Sequence, residues 1–237
     1  MTHPAIGQVP APQGVLFDAG GTLVQVHVGR LAAGLEAAGC EPDPAVLDRA
    51  FWETVVLLDT EFAPRTGAFG DWWERWLDRL AGSCGVPAAA FRDVYDELDA
   101  DALLWEQPVD GALEALDRLR ATGLPLGVVS NADGRIAQAL ERAGLADRFD
   151  VIVDSTLVGV HKPDPAIFAH AVDPLGLDPA RTWYLGDTVA YDAAAAEAAG
   201  LTSWVIDHRG LHTVDHPRRV TSLGEFTDVV LAAHSRR

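Results

Sequence analysis

The chain has 237 residues, of which 49% are hydrophobic and 22% charged, a composition typical of globular proteins rather than disordered ones. It carries 35 acidic and 18 basic residues, and the resulting net charge of −17 disfavours binding to nucleic acid or to an anionic membrane surface. No apolar run approaches the roughly 20 residues needed to cross a bilayer. Cys40 and Cys84 are the only cysteines, which argues against a structural zinc site and a disulfide scaffold.

The chain opens with a proline-rich stretch at 1–12, which we expect to be a flexible leader without the features of a signal peptide. We therefore expect a cytoplasmic protein. The apolar run VLF at 15–17 is followed by DAGGT at 18–22, a pattern that predicts a buried strand ending in a tight turn. From 24 to 105 the apolar residues recur at helical spacing, which predicts a block of about four helices with no strand of its own.

The rest of the chain alternates amphipathic stretches with short apolar runs. These runs, each predicted to be a strand, lie at 126–130, 151–153, 183–186 and 203–206. Strands that alternate with helices of 10–15 residues predict a parallel sheet covered on both faces. We therefore expect a Rossmann-like α/β core formed by 13–23 and 106–237, with the helical block 24–105 inserted after the first strand.

Polar residues occur where the predicted strands end. Asp18 follows the first strand, Ser130 ends the second, Lys162 lies beyond the third and Asp187 follows the fourth. In open α/β sheets the ligand crevice forms at the carboxyl ends of the strands, so these residues should converge. Asp192 lies five residues after Asp187 and adds a third acid to the group.

This set of residues suits the binding of a phosphoryl group beside a hard cation. Mg²⁺ prefers oxygen ligands and commonly binds one or two protein carboxylates together with substrate phosphate. A lysine and a hydroxyl would hold phosphoryl oxygens, and Gly20 and Gly21 would let the backbone approach the ligand closely. A carboxylate beside a bound phosphate can attack phosphorus and form an aspartyl-phosphate.

Four segments in a fixed order carry a family resemblance: FDAGGTL at 17–23, VVSN at 128–131, HKPDPAIF at 161–168 and LGDTVAYD at 185–192. With these motifs the chain resembles the haloacid dehalogenase-like (HAD) hydrolase superfamily, phosphatase type. The resemblance implies a Mg²⁺-dependent hydrolase of a small phosphorylated metabolite that reacts through an aspartyl-phosphate. It also implies that the helical block is a type 1 cap, which closes over the site and selects the substrate.

The resemblance assigns roles to individual residues. It implies that Asp18 is the nucleophile, while Ser130 and Lys162 hold the phosphoryl group and complete the catalytic set. Further substrate contacts are implied for Asn131, Gly21 and Thr22. The metal site is implied to consist of Asp18, the backbone carbonyl of Gly20, Asp187 and, in support, Asp192.

One position departs from the family pattern. Phosphatases of the family carry a second aspartate two positions after the nucleophile, which protonates the leaving group, and this chain has Gly20 there. Loss of a general acid–base costs typically 10²–10⁴-fold in rate. Three functions remain open. The protein can be a phosphatase that uses another proton carrier or substrates with good leaving groups, or it can be a non-catalytic phosphoryl-ligand binder or regulatory protein. A 2-haloacid dehalogenase is the third possibility and agrees less well with the metal motif.

Several other residues invite simpler interpretations. Trp72 and Trp76 share one face of a predicted helix and are expected in the core, whereas Trp73 is the better candidate to line a pocket. Arg30 and Arg65 are expected on the surface rather than at a substrate anion.

The acidic and histidine residues of two further segments are also expected to be structural or solvated. Asp164 precedes a proline and is expected to cap a helix. His208, His212 and His216, with Asp215, follow the last predicted strand on a segment that contains glycine and proline, where we expect solvated side chains rather than a metal site.

Overall fold

The computed structural model describes residues 9–63, 71–100 and 104–236. Two short strands and four helices make up the first half of the described chain. In order these are β1 (Gly14–Phe17), β2 (Val24–Gln25), α1 (Val28–Ala37), α2 (Pro44–Val55) with a 3₁₀ turn at Val56–Asp59, α3 (Asp71–Ser83) and α4 (Ala88–Asp99). We call the residues from α1 to α4 the helical insert.

The second half of the chain alternates strands and helices, as the sequence predicts. In order these are β3 (Gln107–Pro108), α5 (Ala112–Arg120), β4 (Leu126–Ser130), α6 (Ile136–Arg142), β5 (Val151–Asp154), α7 (Ser155–Val158), α8 (Ala169–Leu175), β6 (Thr182–Gly186), α9 (Ala194–Ala198), β7 (Thr202–Ile206), β8 (Arg219–Val220) and α10 (Leu223–His234). A 3₁₀ turn, Pro165–Phe168, precedes α8, and a π-helical turn, Val189–Ala193, precedes α9.

The main sheet has six parallel strands in the order β5-β4-β1-β6-β7-β8. The first strand of the chain therefore lies near the middle, with β4 on one side and β6 on the other. Helices between parallel strands cover both faces of such a sheet, which makes its strands buried throughout. The predicted Rossmann-like α/β class is confirmed.

Alternation along the central strands divides the core between the two faces of the sheet. Val15 and Phe17 belong to the larger cluster, which extends through Trp183 and into the helical insert. Leu16 points to the opposite face and packs in a second cluster with Tyr184. Every residue of β1 is buried, which explains the short apolar run that precedes Asp18.

Three short strands were not predicted. The expectation that 24–105 contains no strand is wrong at Val24–Gln25, which pairs antiparallel with Gln107–Pro108 where the chain enters and leaves the insert. Strand β8 at Arg219–Val220 extends the main sheet beyond β7. Two-residue strands are too short to show a periodic pattern, and their pairing depends on residues far away in sequence.

Helix starts follow the expected capping chemistry. The Asp164 carboxylate accepts a hydrogen bond from the Ala166 amide at 2.9 Å, so the predicted cap is confirmed. Asp43 caps α2 in the same way, through the Ala45 amide at 2.8 Å.

Within the three described stretches of chain, none of the helices has both the length and the apolar character needed to span a membrane.

Candidate active site

The strand order brings the predicted site residues to one edge of the sheet. Asp18 follows β1, Ser130 is the last residue of β4, and Asp187 comes directly after β6. Since β1 lies between β4 and β6 and neighbouring strands are about 4.8 Å apart, the three residues sit side by side. All three side chains are buried, as is Lys162, which reaches the same place from the loop after α7.

Lys162 is the centre of the cluster. Its Nζ donates hydrogen bonds to Asp18 Oδ1 and Asp192 Oδ1, both at 2.6 Å, and to the Tyr184 hydroxyl at 2.8 Å. An ammonium group has three protons, so these contacts use all of its donors. The lysine therefore joins the end of β1 and the middle of β6 to the π-helical turn that carries Asp192.

Asp192 is held by hydrogen bonds to both of its carboxylate oxygens. Oδ1 accepts from Lys162 and from the Tyr184 hydroxyl at 2.7 Å, and Oδ2 accepts from the Thr188 amide at 3.0 Å and from the Thr188 hydroxyl. Only glycine fits at position 186, because a Cβ there would lie 2.4 Å from the Asp192 side chain. These contacts fit the supporting place that the resemblance gives to Asp192.

Burial and mutual repulsion shift the protonation equilibria of this cluster. Burial raises the pKa of Asp18 to about 6, although Lys162 opposes the shift. Burial, and then repulsion from Asp192 and Asp18, raises the pKa of Asp187 well above its ordinary value. Burial alone would lower the pKa of Lys162, but the attraction of Asp18 and Asp192 outweighs it and raises that pKa.

The composition of the cluster fits a divalent cation. Three buried carboxylates face one buried ammonium group, so the fully ionised cluster has a net charge of −2. Among the described residues, no three acidic, histidine or cysteine side chains converge as a metal site by themselves. Mg²⁺ does not require three, because it commonly binds one or two carboxylates and fills its other positions with carbonyls, water or substrate phosphate.

The glycine-rich turn after β1 is shaped by Asp187. Gly21 has a φ of 77°, and a Cβ there would lie 2.1 Å from Asp187 Oδ2. Only glycine allows the turn to approach that carboxylate so closely. The hydroxyl of Thr22 is buried and donates to Asp18 Oδ2 at 3.5 Å, so this predicted substrate contact lies beside Asp18.

Asn131 fixes the loop that carries the lysine. Its side-chain oxygen accepts from the Lys162 amide at 2.7 Å, and its side-chain nitrogen donates to the Lys162 carbonyl at 2.9 Å. The peptide bond between Lys162 and Pro163 is cis. Asn131 thus holds the backbone of Lys162 and also lines the cavity beside Ser130.

A cavity of about 530 Å³ lies between the strand tips and the helical insert. The insert side of its wall is aromatic and includes Trp73, Trp76 and Tyr95, so the prediction that Trp73 lines a pocket is confirmed. Trp76 lines the cavity too, although it is 1% exposed and also belongs to the core.

Arg30 forms an ion pair with Glu106. Arg65 and the side chain of Trp72 lie outside the described residues.

Sequence reasoning missed a contact between the insert and the core. Asp59, at the end of the 3₁₀ turn after α2, accepts hydrogen bonds from the amides of Val189 and Ala190, both at 2.8 Å. Its other oxygen lies 3.3 Å from His212 Nδ1. The insert therefore holds the turn between Asp187 and Asp192.

The expectation that the three histidines are solvated is wrong: two have buried side chains, and His208 packs 5.1 Å from the ring of Trp52 with its Nε2 shielded from solvent. The His212 side chain is 3% exposed beside Asp59, and the His216 side chain is 5% exposed beside Glu197. Burial also lowers the pKa of His208. These side chains are buried because the segment after β7 packs against α2 and α9, which the local sequence does not show.

Comparison with known proteins agrees with this geometry. A model of the haloacid dehalogenase-like hydrolase family matches residues 12–200. Because the match covers most of the chain, the chain belongs to the haloacid dehalogenase-like hydrolases, as its four motifs indicate.

Individual relatives and a solved structure are similar to this chain over different shares of its length. The chain is 35% identical over 139 residues to haloacid dehalogenase-like hydrolase domain-containing protein 3 of Mus musculus, a match that covers 57% of this chain and 55% of that protein. It is 30% identical over 228 residues to the probable phosphatase IndB of Dickeya dadantii, with 93% of each chain covered. A crystal structure of a HAD family hydrolase from Deinococcus radiodurans, with bound phosphate and sodium, is 29% identical, has a TM-score of 0.63 and covers 94% of this chain and 96% of its own.

Proposed function

We propose that the protein is a Mg²⁺-dependent phosphatase that hydrolyses a phosphate monoester of a small metabolite through an aspartyl-phosphate on Asp18. The observation that carries this proposal is the cluster at the strand tips, where Lys162 lies 2.6 Å from Asp18 and from Asp192. The relative named as a probable phosphatase and the neighbour with bound phosphate support the same chemistry.

Asp18 has the properties of a nucleophile. Its carboxylate is buried at the edge of the cavity, and a pKa of about 6 leaves it largely ionised at neutral pH. In the first step a carboxylate oxygen attacks phosphorus, and the bond from phosphorus to the leaving oxygen breaks. Water then attacks the phosphorus of the aspartyl-phosphate, which releases phosphate and restores the carboxylate.

Neighbouring groups hold the phosphoryl oxygens. Ser130, Lys162 and Gly21 line the cavity next to Asp18, whereas the amides of Gly21 and Thr22 donate hydrogen bonds within their own turn. A phosphoryl oxygen would take the place of one of the three acceptors that now bind the lysine protons. Charge-assisted hydrogen bonds of this kind are about twice as strong as neutral ones.

The residues that would hold Mg²⁺ are Asp18, the Gly20 carbonyl and Asp187, with Asp192 supporting them through Lys162 and Thr188. A bound Mg²⁺ supplies positive charge that stabilises the phosphoryl oxygens. The net charge of −2 on the ionised cluster favours such an ion. It would also offset the repulsion that a dianionic phosphate meets in a chain with a net charge of −17.

We assign the helical insert the part of a cap that forms the substrate side of the cavity. Its helices contribute the aromatic wall, while the strand tips contribute the charged floor. A cavity of about 530 Å³ is in the usual range for small-molecule sites. This arrangement supports the proposed division into a core (13–23 and 106–237) and a cap (24–105).

The test compares Asp18→Asn with a matched control, Asp164→Asn. Asp164 is an aspartate on the loop of Lys162 that caps a helix. We expect Asp18→Asn to abolish phosphate release from a panel of phosphorylated metabolites with Mg²⁺, and Asp164→Asn to retain it. The wild-type chain should also gain the mass of one phosphoryl group on rapid acid quenching, and Asp18→Asn should not.

Other results would select another function. Full turnover by Asp18→Asn would refute the nucleophile assignment. Phosphate binding by the wild type with no turnover of any ester would indicate a phosphoryl-ligand binder or regulatory protein. Halide release from a 2-haloacid without Mg²⁺ would indicate a dehalogenase.

A further inference from the structure

The position that lacks the family's second aspartate is closed by an aromatic ring. A Cβ built on Gly20 would have three ring carbons of Trp105 as its nearest neighbours, at 3.1, 3.4 and 3.8 Å. A side chain at this position would therefore point into the indole of Trp105. The space next to the nucleophile that a carboxylic acid would use is bordered by an apolar surface.

Trp105 is held firmly in this position. Its Nε1 donates a hydrogen bond to the Tyr95 hydroxyl, and its ring meets Phe51 edge to face at a centroid distance of 5.6 Å. Tyr95 in turn lies 5.9 Å from the ring of Trp73, which stacks on Trp76 at 5.0 Å. Trp105, Tyr95, Trp73 and Trp76 form one packed aromatic wall of the cavity. Phe51 supports this wall through ring contacts with Trp76 and Trp105.

Of the titratable groups that line the cavity, Lys162, Tyr95 and Asp99 are the first candidates as sources of a proton, and His161, Asp133 and Tyr191 line it as well. All three Lys162 protons bind the two carboxylates and Tyr184. Burial, and then repulsion from Asp99, raises the pKa of Tyr95 well above its ordinary value, so its hydroxyl is a weak acid. Asp99 also lines the cavity, and burial raises the pKa of its carboxyl although Arg135, whose Nη2 donates to it at 2.8 Å, opposes the shift, so Asp99 is the group to test as an alternative proton donor.

We infer that the site is built for monophosphate esters of aromatic hydroxyl groups, whose leaving oxygen departs as an anion without prior protonation. This inference rests on the proposed phosphatase function and names its substrate class. The aryl oxide leaves with the electron pair of the phosphorus–oxygen bond and takes its proton from solvent afterwards. Its ring would lie against Trp105 and Trp73, since aromatic pairs prefer stacked or edge-to-face contact.

The absence of an acid next to the leaving oxygen has a measurable consequence. If the oxygen departs with nearly a full negative charge, each pKa unit of the leaving group changes the rate by up to about tenfold. A phenol ionises near pKa 10, whereas an aliphatic alcohol ionises near the value of water, about 15.7. The aryl ester should therefore react far faster than an alkyl ester of similar size.

The experiment measures kcat/KM of the full chain with Mg²⁺ for four probes. Phenyl phosphate and 4-nitrophenyl phosphate combine a ring with a weakly basic leaving oxygen, and benzyl phosphate keeps the ring but has an alkoxide leaving group. Acetyl phosphate has a weakly basic leaving group and no ring. We expect phenyl phosphate to exceed benzyl phosphate at least about 100-fold, the lower end of what a general acid contributes.

The possible results lead to different conclusions. If benzyl phosphate reacts within about tenfold of phenyl phosphate, another group protonates the leaving oxygen and the inference is wrong, with Asp99 the first residue to test by Asp99→Asn. Because acetate is a weaker base than either phenoxide, acetyl phosphate can exceed the phenyl esters through leaving-group basicity alone, so the aromatic class is judged by the Trp105 variants. If no probe and no other phosphate ester turns over, the proposed phosphatase function itself is refuted.

Variants of Trp105 separate ring contact from leaving-group basicity. Trp105→Ala should lower the ratio of phenyl to acetyl phosphate turnover by roughly 2- to 13-fold, the worth of one aromatic pair. Trp105→Phe keeps a ring and should retain most of that ratio. An unchanged ratio in Trp105→Ala would contradict ring contact, and circular dichroism of each variant shows whether it is folded.

Discussion

Lys162→Met tests the charge balance of the buried cluster at the strand tips. The ammonium group lies 2.6 Å from one oxygen of Asp18 and of Asp192, and the lysine is 2% exposed. At an effective dielectric constant of about 20, each such pair has roughly 6 kcal/mol of Coulomb attraction, most of which desolvation offsets. Removing one partner of a buried pair costs about 3–5 kcal/mol, because the remaining charge stays buried without compensation.

We therefore expect Lys162→Met to lose about 3–5 kcal/mol of unfolding free energy at pH 8 without Mg²⁺. Protonation relieves uncompensated carboxylates, and burial already raises the pKa of Asp18 to about 6 in the wild type. The loss should consequently be smaller at pH 5 than at pH 8, by at least about 1 kcal/mol. Urea denaturation followed by circular dichroism at both pH values measures the two differences.

Arg120→Met is the matched control. Arg120 pairs with Asp150 at 2.7 Å, but both side chains are more than one third exposed, at 40% and 35%. Exposed pairs contribute about 0–1 kcal/mol, so this variant should lose little at either pH. A loss in Lys162→Met no larger than in the control, or equal losses at pH 5 and pH 8, would refute the picture of a lysine that neutralises buried carboxylates.

Three further variants test neighbouring parts of the site. The folded protein binds a proton at Asp18 more tightly than the unfolded chain does, because burial raises the pKa of Asp18 to about 6. The free energy of unfolding of the wild type without metal should therefore fall as pH rises from about 4 through 6. Asp18→Asn should show a smaller fall in urea denaturation over the same pH range. Asp187→Asn removes a buried carboxylate that Asp192 and Asp18 repel, so we expect a higher melting temperature than the wild type without metal. Because the variant lacks a proposed metal ligand, its melting temperature should not rise on adding Mg²⁺, as measured by differential scanning calorimetry. Asp59→Ala leaves the amides of Val189 and Ala190 without their acceptor, so the free energy of unfolding should fall by about 1–3 kcal/mol in urea denaturation. A fall of less than about 0.5 kcal/mol would show that water replaces the carboxylate.

Much of the site could be predicted because its residues mark the ends of strands. Short apolar runs identify buried strands, and parallel strands place their carboxyl ends at one edge of the sheet. This reasoning brings Asp18, Ser130 and Asp187 together from three separate segments, and the structure confirms that they lie on adjacent strands. The order of the strands was not needed for the prediction, since any order that keeps them parallel gathers their ends on the same edge.

The residues that hold the cluster in place were harder to predict. Tyr184 lies inside a buried apolar strand and looks like core packing, yet its hydroxyl lies 2.8 Å from Lys162 and 2.7 Å from Asp192. A tyrosine in a buried strand requires a partner for its hydroxyl, and that requirement was the available signal. Asp59 gave no such signal, because its contact with Val189 depends on how the insert packs against the core.

The surroundings of Gly20 could be predicted only in part from the sequence. The sequence shows that position 20 carries no side chain that could donate a proton, but only the structure shows that Trp105 borders the place such a side chain would occupy. Restoring an aspartate at position 20 would put its Cβ 3.1 Å from the indole, so the ring would have to move. Since Phe51 and Tyr95 hold that ring, the glycine and the aromatic wall constrain each other and must change together for the site to regain an acid.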